Sequence, residues 1–245
     1  MNLLARASLF GLALLLNGCA IGGTYSAKSI EGWVVDAKTK QPIEGAVVVA
    51  TWDLSWGMEN NRSYYMTLME SVTDAAGRYS FPAWGPKSTA KHVPISARFF
   101  GLDPELMFFK SGYRYDVKTN PLGEAESGRS TRSSEWNGTT VALKPVGEGE
   151  MRSGNWSSYR NSLARYHPED LPPETPCYWR LIPKAVMAEH REYEILLAAK
   201  LVSKRQDASQ LLEEWEAEEY RAGKHIPLDH PECGSPTAFF EGLMK

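Results

Sequence analysis

The 245-residue sequence has few cysteines, no excess of positive charge and no long apolar run, and each shortage removes a class of protein. Its three cysteines, at 19, 177 and 233, include no Cys-x-x-Cys pair, so the four-ligand spacing of a structural zinc site is missing. Lys and Arg number 27 against 30 Asp and Glu, a formal charge of −3. The broad positive footprint that nucleic acid requires is therefore lacking, and no nucleic-acid partner is expected. The apolar stretch Leu9 to Leu16 falls well short of the roughly 20 residues of a spanning helix. No repeat of about 20–50 residues is visible, which argues against solenoids and propellers. Nor is there a Gly-x-Ser-x-Gly elbow, a phosphate-binding P-loop or a dinucleotide glycine signature.

Hydrophobic residues at 42% and charged residues at 23% describe a folded body of one or two domains. At the start, Arg6 precedes the apolar stretch, and Asn17-Gly18-Cys19 follows it, the layout of a secretory signal. Leu16-Asn17-Gly18-Cys19 resembles the lipobox of bacterial lipoproteins. The resemblance implies that residues 1–18 are a signal peptide, that Cys19 is the lipidated mature N-terminus, and that residues 19–28 form a tether. Acyl chains contribute about 0.8 kcal/mol per buried methylene, so several anchor a protein stably to a membrane. Ala20, where Asp would retain the protein at the inner membrane, implies the bacterial outer membrane, with the protein facing the periplasm or the cell surface. In that oxidising setting Cys177 and Cys233 are expected to pair, closing a loop whose cross-link contributes roughly 4 kcal/mol in the chain-entropy account.

The pattern changes near residue 148. Before it, short alternating runs are punctuated by Gly, Pro and Asp; after it come longer stretches with helical spacing and Glu-rich faces. In residues 29–148, Ser29 to Asp36 alternates as a strand, and Ala46 to Trp52 is apolar and β-branched. Between Thr73 and Phe81, Asp74 can bond amides of a turn while Gly77 takes a left-handed conformation, which predicts a hairpin. Further strands are predicted at Pro94–Phe100, Leu106–Lys110 and Gly138–Leu143. The Gly- and Ser-rich stretch Asn120–Asn137 reads as a flexible loop.

Ile30-x-Gly32-x-Val34-x-Asp36, Lys40-x-Pro42-Ile43-x-Gly45-Ala46-x-Val48 and Thr73-Asp74-x-x-Gly77-x-Tyr79-x-Phe81 resemble the carboxypeptidase regulatory-like domain, a prealbumin-type (transthyretin-like) β-sandwich. Ser111-Gly112-Tyr113 and Val141-Ala142-Leu143-Lys144-Pro145 are similar to its late Gly-Tyr and closing strand. Lys40 departs from the family's usual Gly, and residues near 53–66 and 84–103 are inserts. The resemblance implies a scaffold or accessory module and brings no catalytic residues.

Residues 149–245 read as a helical subdomain. Asn155 is a capping candidate for a helix with Trp156, Tyr159 and Leu163 on one face. Helices over about Pro183–Ser203 and Ala208–Arg221 would form a hairpin with Cys177 and Cys233 at adjacent ends.

Two groups of residues are candidates for a site. Trp52, Trp56, Tyr64 and Tyr65, in or beside the first insert, could stack on a glycan. His225, Asp229, His230 and Glu232, beside Cys233, form a weak candidate for metal binding or acid–base chemistry. These readings predict an α+β protein, an antiparallel prealbumin-like β-sandwich followed by a small helical hairpin, with no cofactor and no bound metal. It is expected to be a lipid-anchored cell-envelope module for binding or assembly, not an enzyme, whose partner is another envelope protein or a glycan. The alternatives are a glycan-binding module using the aromatic insert 52–66 and an envelope enzyme using the His225–Glu232 loop.

Overall fold

From Ala46 to Ala50 the sequence offers no polar residue to a solvent face, so a strand built there must be covered on both sides. That requirement organises the molecule. A computed structural model describes residues 23–57, 62–89, 93–99, 102–120, 129–147, 149–166, 178–203 and 234–243. Its strands are β1 (Thr24–Ala27), β2 (Ile30–Asp36), β3 (Val47–Trp56), β4 (Arg62–Val72), β5 (Arg78–Phe81), β6 (Trp84–Ser88), β7 (Glu105–Phe109), β8 (Asp116–Lys118), β9 (Thr131–Arg132) and β10 (Thr139–Leu143). The helices are α1 (Glu150–Leu163), α2 (Pro183–Ala198), preceded by a 3-10 turn at Tyr178–Leu181, and α3 (Pro236–Leu243).

Strands β4-β3-β7-β8 form one sheet; β10-β2-β5 and β6-β1-β9 form two shorter ones. The inner core lies between them: Val48, Ala50, Trp52 and Leu54 of β3 meet Ile30 and Val34 of β2, Tyr79 and Phe81 of β5, and Val141 and Leu143 of β10. The opposite face of β3, with Val47 and Val49, joins Leu68, Met107 and Phe109 against Tyr159, Leu163, Trp179, Ile182, Val186 and Phe240 of the helical part. The architecture is thus an α+β β-sandwich, mostly antiparallel, with a small helical part on its outer face. Two pairings, β10 with β2 and β1 with β9, are parallel.

The helical cover is fastened by aromatic and polar contacts. Tyr159 of α1 stacks on Phe109 with ring centroids 3.9 Å apart, and its hydroxyl donates to the Ala185 carbonyl of α2 at 3.0 Å. Glu70 of β4 caps α2 from outside the helix, accepting the amides of Lys184 at 2.9 Å and Ala185 at 3.0 Å. Burial pushes its carboxyl up while those amides pull it down.

Several sequence expectations are corrected. The Thr73–Gly77 turn is formed as its residues imply, with the amides of Ala76 and Arg78 donating to Asp74 Oδ1 and Gly77 at φ +73°. A Cβ on Gly77 would lie 2.4 Å from the Val34 carbonyl oxygen. Yet it is no hairpin: β4 pairs with β3 and β5 pairs with β2, so the turn passes between sheets. Turn chemistry reverses the chain without choosing its new partner, and here the Gly77 carbonyl accepts the Val34 amide. The described residues of the predicted strand, Pro94–Phe99, form a turn and, among the described residues, only an isolated bridge between Ser55 and Arg98. The described residues of the first insert, Asp53–Trp56 and Arg62–Met66, extend β3 and β4 into a long ladder, with an irregularity between Trp52 and Asp53. Lys40 occupies a left-handed position at φ +61°, one that Gly takes without steric cost.

Asn155 is no cap, because α1 begins earlier, with Gly149 at its N-cap. Its side chain turns to the β7–β8 connection instead. Helix α2 ends at Ala198, short of the expected Ser203, and α3 adds a helix beyond the expected hairpin. The predicted helix 208–221 lies outside the described residues, as do residues 1–22. Within the supposed flexible loop, residues 121–128 also lie outside, while Asn120 at its start and Arg132 inside it are fully buried. Arg132 makes a two-pronged ion pair with Asp103, its Nε 2.7 Å from Oδ2 and its Nη2 3.2 Å from Oδ1, and stacks over Phe99. Burial pushes the Asp103 carboxyl up to about 6, against the pull of Arg132.

Two stability outcomes are expected in urea unfolding. Arg132→Met leaves a carboxylate buried without its cation and costs about 3–5 kcal/mol, much of it recovered in Arg132→Met with Asp103→Leu. Glu70→Ala uncaps α2 and costs about 1 kcal/mol.

Candidate functional site

The structure separates the four aromatic candidates. Trp52 and Tyr64, at 0% and 1% exposure, point into the inner core, where Trp52 packs edge-on against Phe81 and Trp84. Trp56 packs partly buried against the same core. Tyr65 faces the other way, edge-on to Tyr166 beneath the helical cover at 5.6 Å. Strand alternation divides neighbouring residues between opposite faces. The stacking platform is therefore corrected: two of its members are core and a third faces the helices. Cys19, Cys177, Cys233, His225, Asp229, His230 and Glu232 lie outside the described residues. Among the described residues no cluster of His, Cys, Asp or Glu is arranged to hold a metal ion.

A different group of residues converges at one end of the sandwich. Past the end of β2 the chain makes a tight turn, with the Lys40 amide donating to the Asp36 carbonyl and the Asp36 amide to the Gln41 carbonyl, both at 2.9 Å. Asp36 Oδ1 accepts the amides of Lys38 and Thr39, each at 2.7 Å, and Oδ2 accepts the Tyr113 hydroxyl at 3.0 Å. The Thr39 amide above all, then the Lys38 amide and Tyr113, hold its carboxyl below the usual carboxylate range against the opposing effect of burial.

Asp36 thus ties the β2–β3 turn to the β7–β8 connection. That connection is tied in turn to the segment after β10: Arg114 donates its amide to the Lys144 carbonyl at 2.7 Å, and Val146 donates to Gly112 at 2.9 Å. The helices brace it from behind. Asn155 of α1 accepts the Tyr115 amide at 2.6 Å and donates to the Tyr113 carbonyl at 3.0 Å. Glu192 of α2, 1% exposed, accepts the Ser111 hydroxyl at 2.6 Å and both prongs of Arg152.

These three segments line an open, solvent-facing cleft of about 370 Å³ formed by Ala37, Lys38, Arg114, Lys144 and Pro145. Lys38, Arg114 and Lys144 are exposed, and the side chain of none is joined by an ion pair or hydrogen bond to another described residue. Sequence reasoning missed the group because its members come from three distant segments. The turn residues Asp36 and Gly112-Tyr113 marked two of those segments, but nothing local marked their convergence.

No protein-family model matches the chain, and no curated protein matches it. Solved structures similar to it include 3-chlorocatechol 1,2-dioxygenase from Rhodococcus opacus, 15% identical over 51% of this chain and 61% of that one, with a TM-score of 0.28. Catechol 1,2-dioxygenase from Pseudomonas arvilla is 17% identical over 55% of this chain and 56% of its own, with a TM-score of 0.26. The C-terminal domain of the shaft pilin SpaA from Lactobacillus rhamnosus is 14% identical over 50% of this chain and 98% of its own, with a TM-score of 0.23. The chain spans only 61% and 56% of the two dioxygenases, and the likeness concerns fold alone. The expectation that the chain is not an enzyme is corrected here: enzymes stand among the structures it matches, and a missing sequence motif is no argument against catalysis.

The Asp36 tie carries a pH signature. Its folded carboxyl titrates below the unfolded value near 4, so its stabilisation is present above about pH 4 and lost as acid protonates the folded form. Asp36→Asn is accordingly less stable than the parent at neutral pH, and the gap between their urea midpoints closes as pH falls below about 4.

Proposed function

We propose that this protein is a bacterial lipoprotein, anchored by Cys19 in the outer membrane and facing the periplasm or cell surface, whose carboxypeptidase regulatory-like β-sandwich serves as a binding or assembly module. The observation that carries the reading is Leu16-Asn17-Gly18-Cys19 directly after the apolar stretch Leu9 to Leu16. The expected tether 19–28 is corrected by the structure: Thr24–Ala27 is strand β1, paired with β6 and β9 with Tyr25 and Ala27 in the inner core, so the sandwich begins ahead of the proposed domain boundary at residue 29. No helix among the described residues is long and apolar enough to cross a membrane. The domain reading is supported by turn residues that do what the resemblance implies: Asp74 holds its turn, Gly45 and Gly77 take positive φ, and the Lys40 position is left-handed. The described helices α1, α2 and α3 brace the sandwich, and a Cys177–Cys233 disulfide is part of the proposal. The partner is another envelope protein or a glycan, met at the loop end of the sandwich and not at the aromatic residues 52–65.

Metabolic labelling with a radioactive fatty acid, followed by membrane fractionation, tests the anchor. The label is expected on the protein in the outer-membrane fraction and is lost in Cys19→Ser. Label retained by the variant, or none on the parent, overturns the proposal.

A further inference from the structure

The cleft at the end of β2 is a local exception to the charge of the chain. Overall the protein is slightly acidic, yet three cations from three segments meet around one concavity with no described carboxylate paired to them. The nearest acid in the turn, Asp36, is buried and fully engaged by two amides and Tyr113, so its hydrogen-bonding capacity is directed inward. Like charges gathered without counter-charges repel one another, an arrangement that an incoming anion relieves. Lys40, held at φ +61° two residues beyond Lys38, keeps a further cation in the same turn at a conformation costly for any residue but Gly.

The donors also suggest the class of anion. A carboxylate is satisfied by one guanidinium fork, whereas a phosphate monoester presents three terminal oxygens and up to two charges, which suits one Arg and two Lys approaching from separate directions, and a diester presents two such oxygens and one charge to the same group. A volume of about 370 Å³ exceeds that of a phosphate group and falls within the range of small-ligand sites. Ala37 and Pro145 give the remaining space an apolar wall. The loop that carries Arg114 is fixed by Asn155, Ser111 and Glu192, so the cationic group need not be assembled by the ligand.

We propose that the cleft between the β2–β3 turn, the β7–β8 connection and the segment after β10 binds a phosphate monoester or diester on a small organic body, with Lys38, Arg114 and Lys144 contacting the phosphate oxygens. The proposal rests on reading the chain as a binding module and adds a small phosphorylated ligand at the loop end where its partner is proposed to meet it. The same group could be offered by a soluble phosphorylated compound or by a phospholipid headgroup, and two probes separate these sources. Full-length protein in neutral detergent is titrated with glycerol 3-phosphate, and in parallel with the same detergent doped with phosphatidylglycerol. Binding is read as hydrogen-exchange protection of residues 36–41, 110–115 and 143–146.

Saturable protection by glycerol 3-phosphate is expected, weakening with added salt. Lys38→Ala with Lys144→Ala should weaken it about tenfold, while Lys144→Arg retains it. Protection by phosphatidylglycerol alone supports the site and assigns the phosphate to a lipid headgroup. Protection by neither probe, equal protection by glycerol, or protection unchanged in the double variant overturns the proposal. If the double variant loses its circular dichroism, the exposed Arg114→Gln makes the same test. Failure here with the fatty-acid label still on Cys19 rejects the phosphate site alone; loss of the label rejects the anchor alone.

Discussion

The structure depends on one strand being denied water on both faces. β3 gives Val48, Ala50, Trp52 and Leu54 to the space between the sheets and Val47 and Val49 to the space beneath the helices. Burying an aliphatic side chain of this kind contributes about 1.5–3 kcal/mol over leaving it exposed. An uncovered outer face, with Met107 and Phe109 beside Val47 and Val49, would forfeit several such contributions and present an apolar patch to solvent. The helical part follows from that need. It adds a layer over the sandwich, and Tyr159 is its main seam, stacked on the sheet through Phe109 and bonded to α2 through Ala185.

The polar residues of this cover have a second consequence. Glu192 and Glu189 are buried on the inner face of α2, where an amphipathic helix would ordinarily carry apolar side chains. Trp156 donates to Glu189 at 2.9 Å, and Arg152 with Ser111 satisfies Glu192. Two carboxylates thus withdrawn from water need such partners. The partners of Glu192 and Asn155 include the loop of residues 111–115, so the helices shape the far end of the sandwich as well as shielding its middle. A cationic cleft on a braced loop is a different object from three lysines and arginines on a mobile surface.

Local chemistry was readable from the chain wherever one segment decides the outcome. Asp74 and Gly77 specified their turn, the run from Ala46 to Trp52 announced a fully buried strand, and Trp156, Tyr159 and Leu163 shared the buried face expected of them. Boundaries and partners were less legible. Asn155 looks like a helix cap because caps and loop tethers use the same short amide side chain, and only the neighbouring β7–β8 connection reveals which applies. The aromatics from Trp52 to Tyr65 look like one group, but the alternation of two paired strands sends them to opposite faces.

By itself the sequence determined the short-range features: an apolar stretch ending in Leu16-Asn17-Gly18-Cys19, turns fixed by Asp, Pro and Gly, strands of alternating or continuous apolarity, and an α+β composition with helices last. These depend on backbone preferences and periodicities that act over a few residues. Which strand each turn delivers to which sheet, the burial of Asp103 with Arg132, and the meeting of Lys38, Arg114 and Lys144 around one cleft were decided only by the tertiary structure. Each requires groups distant in the chain to be brought within a few ångströms, and that proximity is fixed by how two sheets and a helical layer share one strand's burial.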